Sequence, residues 1–490
     1  MVRSTSRGGR SLQLDSLRRL RRSQGQGRAM TFDSLTFIVF LAFAFICYWS
    51  IRSWTARKAL LLLSSYVFYA AWNPFFVLLL MATTGFDWFA ARWMDRVETP
   101  SRRKLILAAS ITTNLSALGF FKYAQFLTDT AVQLLRVAGV DFKPITLGIL
   151  LPVGISFYTF ESLSYVIDVY RRRIPVSKSL LDYSLFVTFF PHLVAGPILR
   201  YGDFSPQCLV EKSWRSAPIG KGLTLFVYGL ALKVFLADLV FAPVADQVFG
   251  HATQVGMAES WLGASAFSLQ VYCDFAGYSL CAIGVALLFG FRFPMNFENP
   301  FGSVGIADLW TRWHITLASW VRDYIFTPLG GYRKGSARGH LNLLVAFLLV
   351  GLWHGAAWTY VAWGGIHGLL LVGERIVRQH VWDFAKVKSP PGRAVLAVAT
   401  FGLFGPGSSG AGGPAFARGA LRRPNRRVAH PECATPRMGL ARPPERRLAY
   451  HKHRGLVGRG DILTRPQSGV SIFPVLKWIA PGSGRGASPY

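Results

Sequence analysis

The chain has 490 residues, of which 51% are hydrophobic and 14% aromatic, while only 16% are charged. A typical soluble domain has about 25% charged residues, so this composition excludes an ordinary soluble globular protein. The formal net charge of +30 would suggest nucleic-acid binding if it were spread over a folded surface. Instead, the basic residues are concentrated at the two ends of the chain and in short connectors, so no nucleic-acid partner is predicted.

Residues 1–29 form a basic N-terminal segment with a net charge of +7, rich in Arg, Ser and Gly. They lack the apolar stretch that a secretory signal peptide requires. Met30 stands directly before the first apolar run. We therefore interpret residues 1–29 as a disordered extension preceding the true start of translation, with an authentic basic arm as the alternative.

Between residues 30 and 404, long uncharged runs alternate with short basic connectors. Backbone polar groups in lipid must be hydrogen-bonded within their own segment, so such runs predict transmembrane helices. The predicted fold class is all-α, a polytopic transmembrane helical protein whose basic connectors lie at the cytoplasmic face. The uncharged runs are 34–51, 59–86, 105–121, 183–199, 275–291 and 341–373.

Proline and glycine interrupt several of these runs. Asn73-Pro74 should divide the second run into two helices, because proline lacks a backbone donor. The segments 189–197 and 310–331 are short and rich in Pro, Gly or polar residues, which predicts re-entrant or broken helices shielded from lipid by protein. His192 lies between two prolines in the first of these segments and is interpreted as structural.

The composition changes abruptly after residue 404. Residues 405–490 have a net charge of +12, many Arg, Pro and Gly residues, and only one short apolar patch. Such a segment cannot bury enough apolar surface to fold, so disorder is predicted. The apolar segment 395–404 is also too short to cross a membrane. We interpret the change as a shift of reading frame near residue 404.

The five cysteines are scattered along the chain. No pair has the spacing of metal ligands, so the sequence predicts neither a metal site nor a disulfide framework. Buried thiols are the expected state. The cysteines are Cys47, Cys208, Cys273, Cys281 and Cys433.

His354 lies within the uncharged run 341–373, which is long enough to cross a bilayer, since a crossing needs roughly 20 apolar residues. An ionisable side chain at membrane depth is energetically costly and commonly marks a reaction centre or a transport path. A core histidine hydrogen-bonded between helices is the structural alternative.

A second cluster of polar and aromatic residues spans 310–317 and continues through Arg322 and Asp323 to Tyr324. It contains His314. If the segment is helical, Asp308 and Arg312 are four residues apart and can pair on one face. An amphipathic helix lying at the membrane surface, with its Trp and Arg residues at headgroup level, is the alternative.

Two further polar positions border apolar runs. Asp274 is placed to orient a histidine or to bind a substrate hydroxyl, with an interfacial carboxylate at a helix end as the alternative. The segment 296–301 reads as a turn, in which Asn299-Pro300 is typical of a loop that enters a re-entrant helix.

Five motifs follow one another in the chain: FFPHLVAGP (189–197), YCDFAGYS (272–279), FRFPMNF (291–297), RWHITLASWVRDY (312–324) and GLWHGAAWTYVAWGGIHG (351–368). Together they resemble the membrane-bound O-acyltransferase family over residues 30–404, and within it the bacterial branch that modifies polysaccharides such as alginate. The resemblance implies that His354, in the LWHGA motif, and His314 are catalytic. Two departures from the family pattern are Leu280, where Asp is typical, and the absence of the usual C-terminal helices.

The resemblance implies a multi-pass protein of the inner membrane that transfers an acetyl group to a sugar hydroxyl of an exopolysaccharide or to a periplasmic acetyltransferase partner. The donor would be acetyl-CoA or another cytosolic acetyl carrier, with no tightly bound cofactor. A histidine would act as a general base or would accept the acetyl group covalently.

The developing oxyanion would need a hydrogen-bond donor, for which Trp353, Asn299 and backbone amides near Gly355 are candidates. Substrate binding or support is expected from Asp274, Arg312, Arg322 and Asp323. The alternatives are D-alanyl transfer to teichoic acid and a secondary transporter; the internal repeat that a transporter should show is not evident in the sequence.

Overall fold

The computed structural model describes residues 30–140, 142–143, 146–251 and 255–410, and the structural statements below concern these residues. They belong to one compact unit. The predicted extension 1–29 and residues 411–490 of the predicted tail lie outside the described residues. The predicted domain boundaries at residues 29 and 404 therefore stay predictions, although the last helix runs six residues past the second of them.

The described chain consists of helices and connecting loops, without a β-strand in these ranges. This confirms the all-α class. The α-helices are α1 Leu35–Ser50, α2 Trp54–Ala70, α3 Pro74–Arg96, α4 Pro100–Leu118, α5 Ala124–Val137, α6 Ile155–Tyr170, α7 Leu180–Thr188, α8 Phe190–Leu193, α9 Tyr201–Leu209, α10 Ile219–Leu230, α11 Ala242–Gly250, α12 Met257–Leu288, α13 Ile306–Arg312, α14 Ile315–Val321, α15 Ser336–His354, α16 Trp358–His380 and α17 Pro390–Gly410. Three π-helical segments (Gly119–Tyr123, Ala231–Phe241 and Arg322–Phe326) and two 3-10 turns (Pro300–Gly302 and Phe384–Lys386) complete the set.

Within the described ranges, five continuous helices are long and apolar enough to cross a membrane: Pro74–Arg96, Pro100–Val137, Ile219–Gly250, Met257–Leu288 and Ser336–His354. Two of these join α-helices through a π-helical segment. Many large apolar side chains on the outer faces of these helices are exposed in the isolated chain, as expected for surfaces that contact lipid. The protein is therefore a polytopic helical membrane protein, as predicted.

The predicted break at Asn73-Pro74 is confirmed. Helix α2 ends at Ala70 and α3 begins at Pro74. The Asn73 side chain accepts a hydrogen bond of 2.9 Å from the backbone N–H of Phe75, so it caps the new helix at a position where proline is tolerated.

The predicted broken segments are also confirmed. Residues 189–197 contain only the four-residue helix α8, and residues 310–331 contain the end of α13, the short helix α14 and a π-helical turn. His192, on α8, is buried, and its Nδ1 atom lies 3.1 Å from the Glu161 carboxylate. The same carboxylate accepts a hydrogen bond from the backbone N–H of Leu199, so this pair anchors the broken segment inside the protein.

The uncharged run 341–373 belongs to two helices. Helix α15 ends at His354, and α16 begins at Trp358 after an extended connection. The two helices pack with their backbones in contact, because a Cβ atom on Gly351 would overlap the carbonyl oxygen of Tyr360. The absence of a side chain at Gly351 therefore allows α15 and α16 to cross at close range.

A second close crossing joins α10 and the π-helix after it to α12. A Cβ atom on Gly277 would lie 2.6 Å from the carbonyl oxygen of Gly229, and one on Gly284 equally close to that of Gly222. Small residues allow such contact, which stabilises helix pairs in membranes through van der Waals packing. Leu280, the departure from the family pattern, faces this apolar side of α12.

Four of the five cysteines lie in the described residues, and all four are free thiols. Cys208, Cys273 and Cys281 are buried. The prediction of buried thiols is confirmed for these three; Cys433 lies outside the described residues.

Candidate active site

A cavity of about 400 Å³ lies between α12, the α13–α14 junction, and helices α15 and α16. Both histidines singled out in the sequence line it. Most of the remaining lining is aromatic or aliphatic, with Ser156, Lys122 and Asp274 as further polar groups. The lining residues are Lys122, Ser156, Phe157, Ala195, Phe267, Ser268, Val271, Asp274, Phe275, Tyr278, Trp313, His314, Trp353, His354, Tyr360, Trp363 and Phe404.

His354 is the last residue of α15. Its imidazole lies against two indole rings: Trp353, at 4.9 Å between ring centroids, and Trp363 of α16, at 5.2 Å, both in edge-to-face geometry. The chain turns away at Gly355 immediately after it. The break between α15 and α16 therefore exposes the ring to the cavity instead of enclosing it in a continuous helix.

The end of α15 is held by residues of the π-helical segment Gly119–Tyr123. The Lys122 ammonium group donates hydrogen bonds to the carbonyl oxygen of Trp353 and, over 3.0 Å, to the hydroxyl oxygen of Ser156. The Tyr123 hydroxyl donates to the carbonyl oxygen of Leu352 over 2.9 Å. The last carbonyl groups of a helix lack intrahelical partners, so these two side chains act as a clamp on the turn that carries His354.

His314 lies at the junction between α13 and α14, with a φ of 45°. This left-handed conformation costs about 1–2 kcal/mol for a residue other than glycine, so the surroundings must hold it. The Asn296 side-chain oxygen holds this junction in place. It lies 3.0 Å from Nδ1 of His314 and accepts hydrogen bonds from the hydroxyl group and the backbone N–H of Thr316. The backbone oxygen of Asn296 accepts from Ile315.

Trp353 connects the two histidines. Its ring contacts His354, as described, and lies 6.1 Å from the imidazole of His314 between centroids. Its indole Nε1 is buried and has no hydrogen-bond partner among the described residues. Buried N–H groups in proteins usually have a hydrogen-bond partner. The unpaired N–H of Trp353 is therefore available to a substrate oxygen in the cavity.

One face of α12 forms the opposite wall. Phe267, Val271, Asp274, Phe275 and Tyr278 recur at intervals of three or four residues, which places them on one side of the helix. Asp274 is half-exposed, and its carboxylate lies 2.6 Å from the ammonium group of Lys233. The only acidic group in the described lining is therefore held in an ion pair.

Four of the other predicted residues, Arg312, Asn299, Arg322 and Asp323, lie outside the described lining of the cavity. Arg312 pairs with Asp308 at 2.8 Å, as the four-residue spacing predicted, and does not contribute to the described lining of the cavity. Asn299 is exposed at the start of a 3-10 turn. It is Asn296, three residues earlier and fully buried, that contacts His314.

Arg322 and Asp323 belong to an ionic cluster beyond the end of α14, outside the described lining of the cavity. The Asp323 carboxylate lies 2.8 Å from Arg322 and 2.9 Å from Arg200. Burial would raise the pKa of Asp323, but the hydrogen bond from Arg322 and the charge of Arg200 together lower it below its ordinary value. The cluster ties α14 to the chain around residue 200.

The structure adds residues that the sequence reasoning missed. Lys122 interrupts an apolar stretch just as His354 does, so the same argument from the cost of a charge in lipid would have found it. Asn296 lies in the FRFPMNF motif (291–297). His367, fully buried on α16, lies 4.7 Å from Trp363 between centroids, and neither of its ring nitrogens has a hydrogen-bond partner among the described residues.

Taken together, the cavity offers two imidazoles, an unpaired indole N–H and a lysine in an aromatic enclosure. An imidazole can remove a proton from a hydroxyl, and an N–H group can stabilise an oxyanion. Within the described residues, His, Cys, Asp and Glu side chains do not form a group of three or more that could hold a metal ion. The arrangement fits acyl transfer to a hydroxyl.

Comparison with known proteins agrees with this chemistry. The model of the membrane-bound O-acyltransferase family matches residues 26–401. The chain is 42% identical over 351 residues to the probable alginate O-acetylase AlgI of Azotobacter vinelandii, covering 71% of this chain and 69% of that protein. Across the related alginate proteins, this chain spans about two thirds of their length.

Relatives that are named for other activities are less similar to this chain. The chain is 34% identical over 375 residues to the peptidoglycan O-acetyltransferase of Helicobacter pylori, covering 70% of each protein. It is 28% identical over 242 residues to the teichoic acid D-alanyltransferase of Bacillus subtilis, covering 45% of this chain and 58% of that protein.

Proposed function

Because this chain belongs to the membrane-bound O-acyltransferase family, we propose that it is an O-acetyltransferase that acts in the acetylation of a bacterial exopolysaccharide of the alginate type. The observation that carries the proposal is the convergence of His354 and His314 on one cavity, in a chain 42% identical to a probable alginate O-acetylase.

In the proposed reaction, an imidazole nitrogen of His354 takes the proton of the acceptor hydroxyl as the hydroxyl oxygen attacks the acetyl carbonyl carbon. The carbon–sulfur bond of an acetyl thioester donor breaks, and the departing thiolate receives the proton from the imidazolium. The products are an O-acetyl ester and a free thiol. A base of this kind typically contributes about 10²–10⁴ to the rate.

Charge develops on the acetyl carbonyl oxygen during the attack. The buried indole N–H of Trp353 is available to donate to it, since it has no partner among the described residues. A single donor of this kind is worth about 10²–10³ in rate. A covalent acetyl-His354 intermediate is the second route; it would be detected by trapping labelled acetyl on the protein in the absence of an acceptor.

The donor and the acceptor follow from the same proposal. The donor is acetyl-CoA or another cytosolic acetyl carrier, and no tightly bound cofactor takes part. The acceptor is a sugar hydroxyl of the polysaccharide or a periplasmic acetyltransferase partner that completes the transfer. The protein would accordingly reside in the inner membrane. Acetyl rather than D-alanyl transfer is favoured because the acetylating relatives are the more similar ones.

The test is to express the full chain in an alginate-producing bacterium that lacks its own O-acetylation protein and to measure the ester content of the secreted polymer. The wild-type chain is expected to restore acetylation, and His354→Ala to reduce it to the background level. His380→Ala is the matched control, since His380 is an exposed histidine at the far end of α16.

Membrane levels of each variant are measured by immunoblot in the same cells. Undiminished acetylation by His354→Ala at normal abundance would contradict the assigned role of His354. Failure of the wild-type chain to restore any ester, at normal abundance, would contradict the proposed function itself.

A further inference from the structure

Asn296 is completely buried next to the cavity and is the hub of a small hydrogen-bond network. Its side-chain oxygen lies 3.0 Å from Nδ1 of His314 and 2.9 Å from the hydroxyl of Thr316. Its side-chain nitrogen donates over 3.2 Å to the hydroxyl of Ser279 on α12. One amide thus joins the left-handed junction at His314 to the helix that forms the opposite wall.

The orientation of this amide is determined by a neighbouring group that can only donate a hydrogen bond. The backbone N–H of Thr316 can only donate, and it points at the Asn296 oxygen over 3.3 Å. The backbone N–H of Ile198 donates to the Thr316 hydroxyl over 3.0 Å, so the hydroxyl proton is free to go to Asn296. The backbone contact requires an oxygen, not an amide nitrogen, at the position facing His314, and the hydroxyl contact agrees with that orientation.

An oxygen accepts hydrogen bonds, so the nitrogen of His314 that faces it must carry a proton. In a neutral imidazole, one nitrogen is a donor and the other an acceptor. We propose that Asn296 is a positioning residue that holds neutral His314 as the Nδ1–H tautomer, so that an unprotonated Nε2 faces the cavity. Nε2 is buried and has no partner among the described residues.

This tautomer gives the two histidines different roles, and the role of His314 described here rests on the proposed acyl transfer. An unprotonated Nε2 accepts a hydrogen bond and cannot donate one. His314 therefore binds a hydroxyl of the acceptor and does not bind the acetyl carbonyl oxygen, which needs a donor such as the Trp353 indole. Asn296 acts through His314 and contacts neither substrate.

The tautomer is tested directly, without reference to activity. The full chain is produced with ¹⁵N-labelled histidine and studied by NMR in detergent or lipid; the chain has ten histidines, and His314→Gln identifies the signal of His314 by its loss. We expect a protonated Nδ1 and an unprotonated Nε2. A protonated Nε2 of His314 in the wild-type chain would overturn the proposal.

Kinetic variants then separate positioning from structure. Asn296→Leu removes the oxygen that accepts the hydrogen bond from Nδ1. It is expected to lower kcat/KM for the acetyl acceptor, here deacetylated alginate oligosaccharide, by about tenfold or more, with the KM for acetyl-CoA unchanged. Asn296→Asp keeps an oxygen facing Nδ1 and should recover most of that rate. Ser279→Ala, the matched control at the other end of the amide, should change it by less than about threefold.

Equal losses in Asn296→Leu and Ser279→Ala, without recovery in Asn296→Asp, would show a merely structural role and overturn the proposal. A wild-type chain with the expected tautomer that restores no polymer ester in the complemented bacterium, at normal abundance, would instead count against the proposed function. The two failures are therefore distinguishable.

Discussion

Substituting Lys122 with Met is expected to damage catalysis far more than folding. The ammonium group of Lys122 contacts the Trp353 carbonyl oxygen and the Ser156 hydroxyl, and it lies over the Trp353 ring at 5.5 Å. Methionine has a similar length and apolar stem but no donor. The substitution therefore opens half of the clamp on the turn that carries His354 while keeping the packing volume.

The expected size follows from the contacts removed. Hydrogen bonds made by a charged group contribute about 1.5–3 kcal/mol each, so two of them amount to roughly 3–6 kcal/mol. Burying an ammonium group in a largely apolar site carries a desolvation penalty, and the substitution removes that penalty together with the two hydrogen bonds. We therefore expect the free energy of unfolding to fall by no more than about 2 kcal/mol. Catalysis is more sensitive, because a displacement of about 1 Å can cost about 10²-fold in rate.

The assay compares initial rates of acetyl transfer with thermal unfolding of the purified full chain in the same detergent. Tyr123→Phe is the matched variant: it removes one neutral hydrogen bond, worth about 1 kcal/mol, from the neighbouring carbonyl group, and its rate should fall by less than about tenfold. A Lys122→Met protein with wild-type rate, or one whose rate falls only in proportion to its folded fraction, would refute the clamp.

Three further outcomes are expected. Gly351→Ala should lower the unfolding temperature, because overpacking costs about 1–3 kcal/mol, whereas Gly373→Ala, which meets open space on α16, should not; equal effects would contradict the close crossing. Asp274→Ala should raise the KM for the oligosaccharide acceptor and leave that for acetyl-CoA unchanged, since Asp274 is the acidic group in the described lining. Asp323→Asn should be slightly less stable than wild type near pH 7, by at most about 1 kcal/mol, and that difference should vanish as the pH falls below about 4. The lowered pKa of Asp323 means that its ionised form stabilises the fold at pH values above the ordinary carboxyl pKa, and that this contribution is lost when the group is protonated. A stability difference between wild type and Asp323→Asn that grows in acid would contradict this.

The helical class and the helix breaks were predictable because they depend on local properties. Apolar runs require internally hydrogen-bonded helices in lipid, and Asn73-Pro74 ends one helix and starts another regardless of tertiary structure. The pairing of Asp308 with Arg312 follows from helix geometry alone. In each case the information lies within a few neighbouring residues.

The site was harder to predict because its contacts join distant segments. Run 341–373 shows no proline at its break, and the turn after His354 depends on the crossing of α15 and α16 and on Lys122, 231 residues earlier in sequence than the carbonyl group that it holds. The choice between Asn296 and Asn299 depends on burial, which local turn propensity does not reveal. The sequence indicated Asn299 as a candidate oxyanion donor, but it did not indicate that Asn296 is the buried partner of His314.

The two sides of α12 have separate tasks, and this has a consequence for how such enzymes diversify. Glycines on one side fix the helix against α10 by backbone contact, while the side chains from Phe267 to Tyr278 on the other side face the cavity. Substitutions at the cavity-facing positions can therefore alter the shape of the cavity that an acceptor enters without disturbing the contact between α10 and α12. A library confined to Phe267, Val271 and Phe275 is accordingly the economical route to variants that accept a different polymer.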